Sequence, residues 1–236
     1  MKPISFLFII FVIFCIIKLM YQNKTNCNFK VVIQTHRDHK VHLEKYLKSI
    51  DYKNHLNDII LVYSDEKVYK VENKPQLPSI YSTLNIWEYT SFIEVDNNQH
   101  LENFKSNYYF FCHDTCWCDN QRKFWKNLKH IAKNTNNFYY PSSHIQKNIG
   151  MCSKLFLTKF SNELKKYGNF KRETGVKLEN KIKNICKFQY IPKSYKDLGK
   201  IIIDNVDRRL HYFDYISLYK HSRFTKSNID SFIKKY

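Results

Sequence analysis

Tyr108-Tyr109-Phe110-Phe111-Cys112-His113-Asp114-Thr115-Cys116 is the stretch on which the fold of this chain turns. A short continuous run of aromatic and apolar residues reads as a strand buried on both faces, inside a sheet with helices on either side. The run stops abruptly at an acid. In open α/β sheets, ligands bind in the crevice outside the carboxyl ends of the strands. Asp114 therefore stands where a carboxylate can hold a metal ion or a phosphate-bearing substrate. The plainer alternative is an Asp that caps the turn after the strand.

The pattern extends outward from that strand in both directions. Upstream, Phe29 to Gln34 reads as a first strand. His39 to Ile50 carries Val41, Leu43, Tyr46, Leu47 and Ile50 at helical spacing, and Asp58 to Tyr63 is a second buried strand ended by Ser64-Asp65. Residues 66 to 80, with Pro75 and Pro78, read as a loop, and Ser91 to Val95 as a third strand. Downstream, Asp119 is placed to cap a helix reaching about Lys133, with Phe124, Trp125, Leu128 and Ile131 on one face. Phe138 to Tyr140 reads as a fifth strand, and Ser153 to Lys166 and Glu173 to Cys186 have helical spacing. Strands alternating with helices predict a mostly parallel or mixed sheet flanked by helices. No repeat and no second domain boundary is visible.

The N-terminus has a different character. Ile4 to Ile17 is apolar except for Ser5, and Pro3 to Tyr21 is long enough to cross a bilayer with Lys18 at the interface. Met20, Tyr21 and Gln22 are too large for a signal-peptidase site, so residues 1–21 are expected to be an uncleaved signal anchor. Residues 22–29 then form a short stem, and residues 30–236 a single domain on the lumenal or external side. Lysines on both flanks leave the orientation open, while Asn23-Lys24-Thr25 is a glycosylation sequon compatible with a lumenal face. The formal net charge is +18, but the lysines are dispersed, with no block of five or six. That distribution reads as a solvated surface and argues against a nucleic-acid partner.

Only four glycines occur, which excludes a phosphate-cradling P-loop and the Gly-rich dinucleotide turn. H-E-x-x-H and G-x-S-x-G are both absent, removing the usual support for a zincin or an α/β-hydrolase. A nucleotide bound here must be held by a metal and basic side chains. Of seven cysteines, Cys15 lies in the apolar segment and six remain, open to disulfide pairing. Cys112-His113-x-x-Cys116-x-Cys118 offers a zinc set, a disulfide or buried thiols; alternation on a strand sends Cys112 and His113 to opposite sides, against zinc.

Val31-Val32-Ile33-Gln34-Thr35-His36-Arg37, followed by Leu43-x-x-Tyr46-Leu47-x-Ser49-Ile50, resembles the opening of family 2-like glycosyltransferases of the GT-A fold. Ile59-Ile60-Leu61-Val62 and Ser64-Asp65 are similar to their second strand and its acidic tip. His113-Asp114-Thr115 occupies the place of their metal-binding acidic motif, and the resemblance spans roughly residues 30 to 180. It implies transfer of a sugar from a nucleotide-sugar donor to a hydroxyl acceptor on a glycan or protein. It further implies a nucleotide pocket bordered by Thr35, Arg37 and Asp65, and a divalent Mn or Mg ion held by Asp114 with His113.

The family has two acids in that motif, and this chain has one. The base that takes the acceptor's proton is, by resemblance, an acid at the start of a later helix, matched best by Glu179 and next by Glu173. Arg208-Arg209, His211 and Lys220 are further candidates for phosphate contact. The alternative is a membrane-anchored glycosyltransferase-like module without catalysis.

Overall fold

A computed structural model describes residues 28–36, 39–65, 75–84, 86, 89–134, 149–166 and 210–221. The elements are β1 (Phe29–Thr35), α1 (Lys40–Ser49), β2 (Ile59–Ser64), β3 (Ser79–Ser82), α2 (Thr90–Asn98), β4 (Tyr108–His113), β5 (Cys116–Cys118), α3 (Gln121–Asn134), β6 (Gly150–Ser153), α4 (Lys154–Lys165), β7 (Leu210–Phe213) and β8 (Leu218–His221). They build a mixed sheet of order β3-β2-β1-β4-β6, in which the first four strands run parallel and β6 runs antiparallel to β4. A smaller antiparallel sheet has the order β5-β8-β7.

The uninterrupted apolar runs follow from burial on both faces. Val31 and Ile33 of β1, Ile59 and Leu61 of β2, and Phe110 and Cys112 of β4 point to one side. There they meet Leu43, Tyr46 and Leu47 of α1 and Phe124, Leu128 and Ile131 of α3. The intervening residues Val32, Ile60, Val62, Tyr109 and Phe111 point the other way, to Phe92, Ile93 and Val95 of α2 and to Phe156, Leu157, Phe160 and Leu164 of α4. Each such side chain contributes about 1.5–3 kcal/mol relative to exposure, and the alternation leaves only one register that keeps both faces dry. Phe92 stacks on Phe111 with ring centroids 3.8 Å apart, fixing α2 against β4.

Ser91 to Val95, expected as a strand, is helical within α2. Five residues with two β-branched members suggest a strand, but the helix is set by partners far off in sequence. The Ser91 amide, an orphan donor of the first turn, is accepted by the Gln34 side chain of β1 at 3.1 Å. Thr90 accepts from the Ile86 amide and donates to the Leu84 carbonyl. Of the loop expected over residues 66–80, residues 66–74 lie outside the described residues, and Ser79 and Ile80 belong to β3, an edge strand entered just after Pro78, where a proline costs no ladder bond. At α3 the capping side chain belongs to Asn120, which accepts from the Lys123 amide at 2.9 Å, and Asp119 stands one residue outside. Residues 1–27, Phe138 to Tyr140, and Glu173 to Cys186 lie outside the described residues. Among the described residues no helix is long and apolar enough to cross a membrane.

Candidate functional site

The chain lays down β1, β2 and β3 outward in one direction, then returns to set β4 on the other flank of β1. The strand order reverses between β1 and β4, and at such a reversal the crossover segments diverge to opposite faces, opening a ligand crevice at the carboxyl ends. Thr35 closes β1, His113 and Asp114 close β4, and Ser64-Asp65 close β2.

Asp114 is 3% exposed and organises this edge. Its Oδ2 accepts the Thr35 hydroxyl at 2.7 Å and the His36 amide at 3.3 Å. His39 Nδ1 lies 3.2 Å from Oδ1 and 3.1 Å from Oδ2. The Asp114 amide donates in turn to the Gln34 carbonyl at 3.1 Å, so the turn after β4 is tied to the end of β1 at both backbone and side chain. His36 makes the second link: its Nε2 is 3.5 Å from Oδ2 of the buried Asp65. The rings of His36 and His39 are 5.9 Å apart, and those of His39 and His42 are 6.0 Å apart. Thr35, Asp65 and Asp114, drawn from three strands, thus belong to one polar set held together by two histidines.

His113 is placed differently. It pairs in register with Gln34, whose side chain reaches α2, while Cys112 points to the α1 side. Strand alternation therefore sends His113 to the α2 side, away from the contacts that Asp114 makes with Thr35 and His39. Both oxygens of Asp114 already accept from protein donors. No group of three or more His, Cys, Asp and Glu side chains suited to a metal ion occurs among the described residues. Asp114 and His113, the two residues expected at a metal ion, thus turn their side chains to different faces of the sheet. Arg37, Glu173, Glu179 and Arg208-Arg209 lie outside the described residues, as does the His211 side chain.

Beneath the edge, Cys112, Cys116 and Cys118 are buried thiols; Cys152, also a buried thiol, lies on β6 in the other core cluster. Burial, reinforced by the field of Cys116, pushes the Cys112 thiol well above its ordinary range; Tyr46, whose hydroxyl lies 3.2 Å from its sulfur, opposes the shift. Lys220 also lowers it and Asp114 raises it, so both charges lie within reach of this sulfur. Lys220 is itself buried, on β8, opposite Cys116 in the ladder. Burial likewise pushes Cys118 up to about 12.

Sequence reasoning overlooked His36 and His39 as site residues. The available signal was three histidines at intervals of three, His36, His39 and His42, directly after the first strand. No protein-family model matches the chain, and no curated protein matches it.

Proposed function

We propose that the chain is a GT-A-like glycosyltransferase that moves a sugar from a nucleotide-sugar donor to a hydroxyl on a glycan or protein acceptor, working from an N-terminal membrane anchor. The observation that carries this reading is the bond between Thr35 and Asp114, 79 positions apart, at the point where the strand order reverses. Three residues expected at the donor site, Thr35, Asp65 and Asp114, belong to one connected set there. A parallel β3-β2-β1-β4 sheet with an antiparallel neighbour on β4 is in keeping with the GT-A-like architecture. The donor carries a diphosphate that departs as the sugar is transferred, and the basic surface favours such an anionic donor at the site.

The non-catalytic alternative has one observation in its favour: three protein donors already occupy the Asp114 carboxylate. A panel of UDP- and GDP-sugars with hydroxyl acceptors, with and without Mn²⁺ or Mg²⁺, separates the two. Transfer of labelled sugar, with a rise in melting temperature on adding the matching nucleotide, is the expected result. Nucleotide stabilisation without transfer supports the binding module. Neither effect with any nucleotide overturns the reading.

A further inference from the structure

Glu179, the base that the resemblance implies, lies outside the described residues, and the side chains on Asp114 offer another destination for the acceptor's proton. We propose that His39 is the general base of the site and that Asp114 is its positioning residue. This rests on the glycosyltransferase reading given above.

An ionised carboxylate only accepts hydrogen bonds, so the nitrogen that faces both Asp114 oxygens at 3.1 and 3.2 Å must carry the hydrogen. A neutral imidazole with its hydrogen on Nδ1 has its lone pair on Nε2, at the opposite edge of the ring. Asp114 is almost wholly buried, whereas the His39 side chain is 35% exposed. The ring thus runs from a fixed interior anchor to the surface at the carboxyl end of β1. Thr35 and the His36 amide both bond to Oδ2 as well, which favours the orientation that faces the ring. A carboxylate that fixes a histidine's tautomer and then stabilises its imidazolium is a sufficient acid-base device.

The step balances without a further reactant. An acceptor hydroxyl gives its proton to His39 Nε2 while its oxygen bonds to the anomeric carbon of the donor. The bond from that carbon to the diphosphate oxygen breaks, and its electron pair leaves on the nucleoside diphosphate. His39 becomes an imidazolium beside the Asp114 carboxylate and returns its proton to solvent after product release. Asp114 therefore acts through His39, in a role that does not call for His113 on the same face.

The test uses the full chain and three variants, His39→Gln, Asp114→Asn and Asp114→Glu. Donor affinity, single-turnover transfer and the nitrogen chemical shifts of His39 are each measured. His39→Gln is expected to slow transfer by about 10²–10⁴-fold, the usual worth of a general base, while donor affinity holds. Asp114→Asn should slow transfer and move the His39 hydrogen off Nδ1, and Asp114→Glu should restore part of both. Transfer at the wild-type rate in His39→Gln overturns the proposal, as does transfer lost in Glu179→Gln but kept in His39→Gln. If the wild-type chain transfers no sugar at all, the glycosyltransferase reading fails, and the base assignment with it. A neutral His39 with its hydrogen on Nε2 overturns the pairing independently of any activity.

Discussion

Two histidine-aspartate pairs in this molecule have nearly the same bond and opposite settings. His55 Nδ1 lies 3.0 Å from Asp58, three residues along the chain, and the Asp58 side chain is 47% exposed. His39 Nδ1 lies 3.1 Å from Asp114, 75 positions away, with the carboxylate buried. The His55 ring lies flat on Trp125, centroids 3.8 Å apart, so its pair belongs to a packed surface turn. The His39 pair joins the ends of two adjacent parallel strands. Water competes for the Asp58 carboxylate and is largely excluded from that of Asp114, so equal distances carry unequal consequences. A contact's meaning comes from what else depends on it.

That contrast can be broken or sharpened by measurement. The largest effect should come from the frame behind the buried pair: Phe111→Ala removes the ring stacked on Phe92 and should cost about 3–5 kcal/mol in urea unfolding. Asp114→Ala leaves the Thr35 hydroxyl, the His36 amide and the His39 ring without their shared acceptor. It is expected to cost about 3 kcal/mol, and a loss below about 1 kcal/mol would remove the distinction between the two pairs. Thr35→Val keeps the shape and deletes a single donor, for a loss of about 1–2 kcal/mol. Asp58→Ala should shift stability by no more than about 0.5 kcal/mol, and a larger loss would show that the surface pair is structural as well.

The thiols beneath the site give the last test, where no reaction is expected. With Cys118 pushed up to about 12, its sulfur stays protonated and should resist thiol reagents at pH 8 until the chain unfolds. The sign is set by the fold retaining a proton that the unfolded thiol releases. This contribution to stability is complete below pH 9 and declines as pH rises from there toward 12. Rapid labelling of folded protein at pH 8 would contradict the burial.

The two halves of that contrast were not equally legible in the sequence. β1, β2 and β4 are readable because burial on both faces demands apolar residues at every position, and Val31-Val32-Ile33, Ile59-Ile60-Leu61-Val62 and Phe110-Phe111 meet that demand locally. α1 and α4 are readable from their helical spacing. α2 was misread because its first turn is completed by Gln34, a residue from another strand that no local window contains. Asp114 stood out as an acid ending an apolar run, and Thr35 and Asp65 as strand ends. His39 did not, because its partner lies 75 positions away and only the strand order brings them together. His113 and Asp114, adjacent in sequence, take opposite faces because the chain there is extended, which adjacency alone does not reveal.

β5 follows Asp114 by two residues and finds its ladder partner far downstream in β8: Cys116 pairs with Lys220 and Cys118 with Leu218. The Asp119 amide donates to the Ser217 carbonyl and adds a further tie at the same place. During synthesis, the larger sheet can begin to pair while the turn carrying Asp114 still lacks support on its far side. That turn gains its second wall only when β8 emerges from the ribosome. A product truncated before residue 210 would lose this brace together with the buried side chains of Phe213, Ile216 and Leu218, which belong to the same core cluster as α1 and α3.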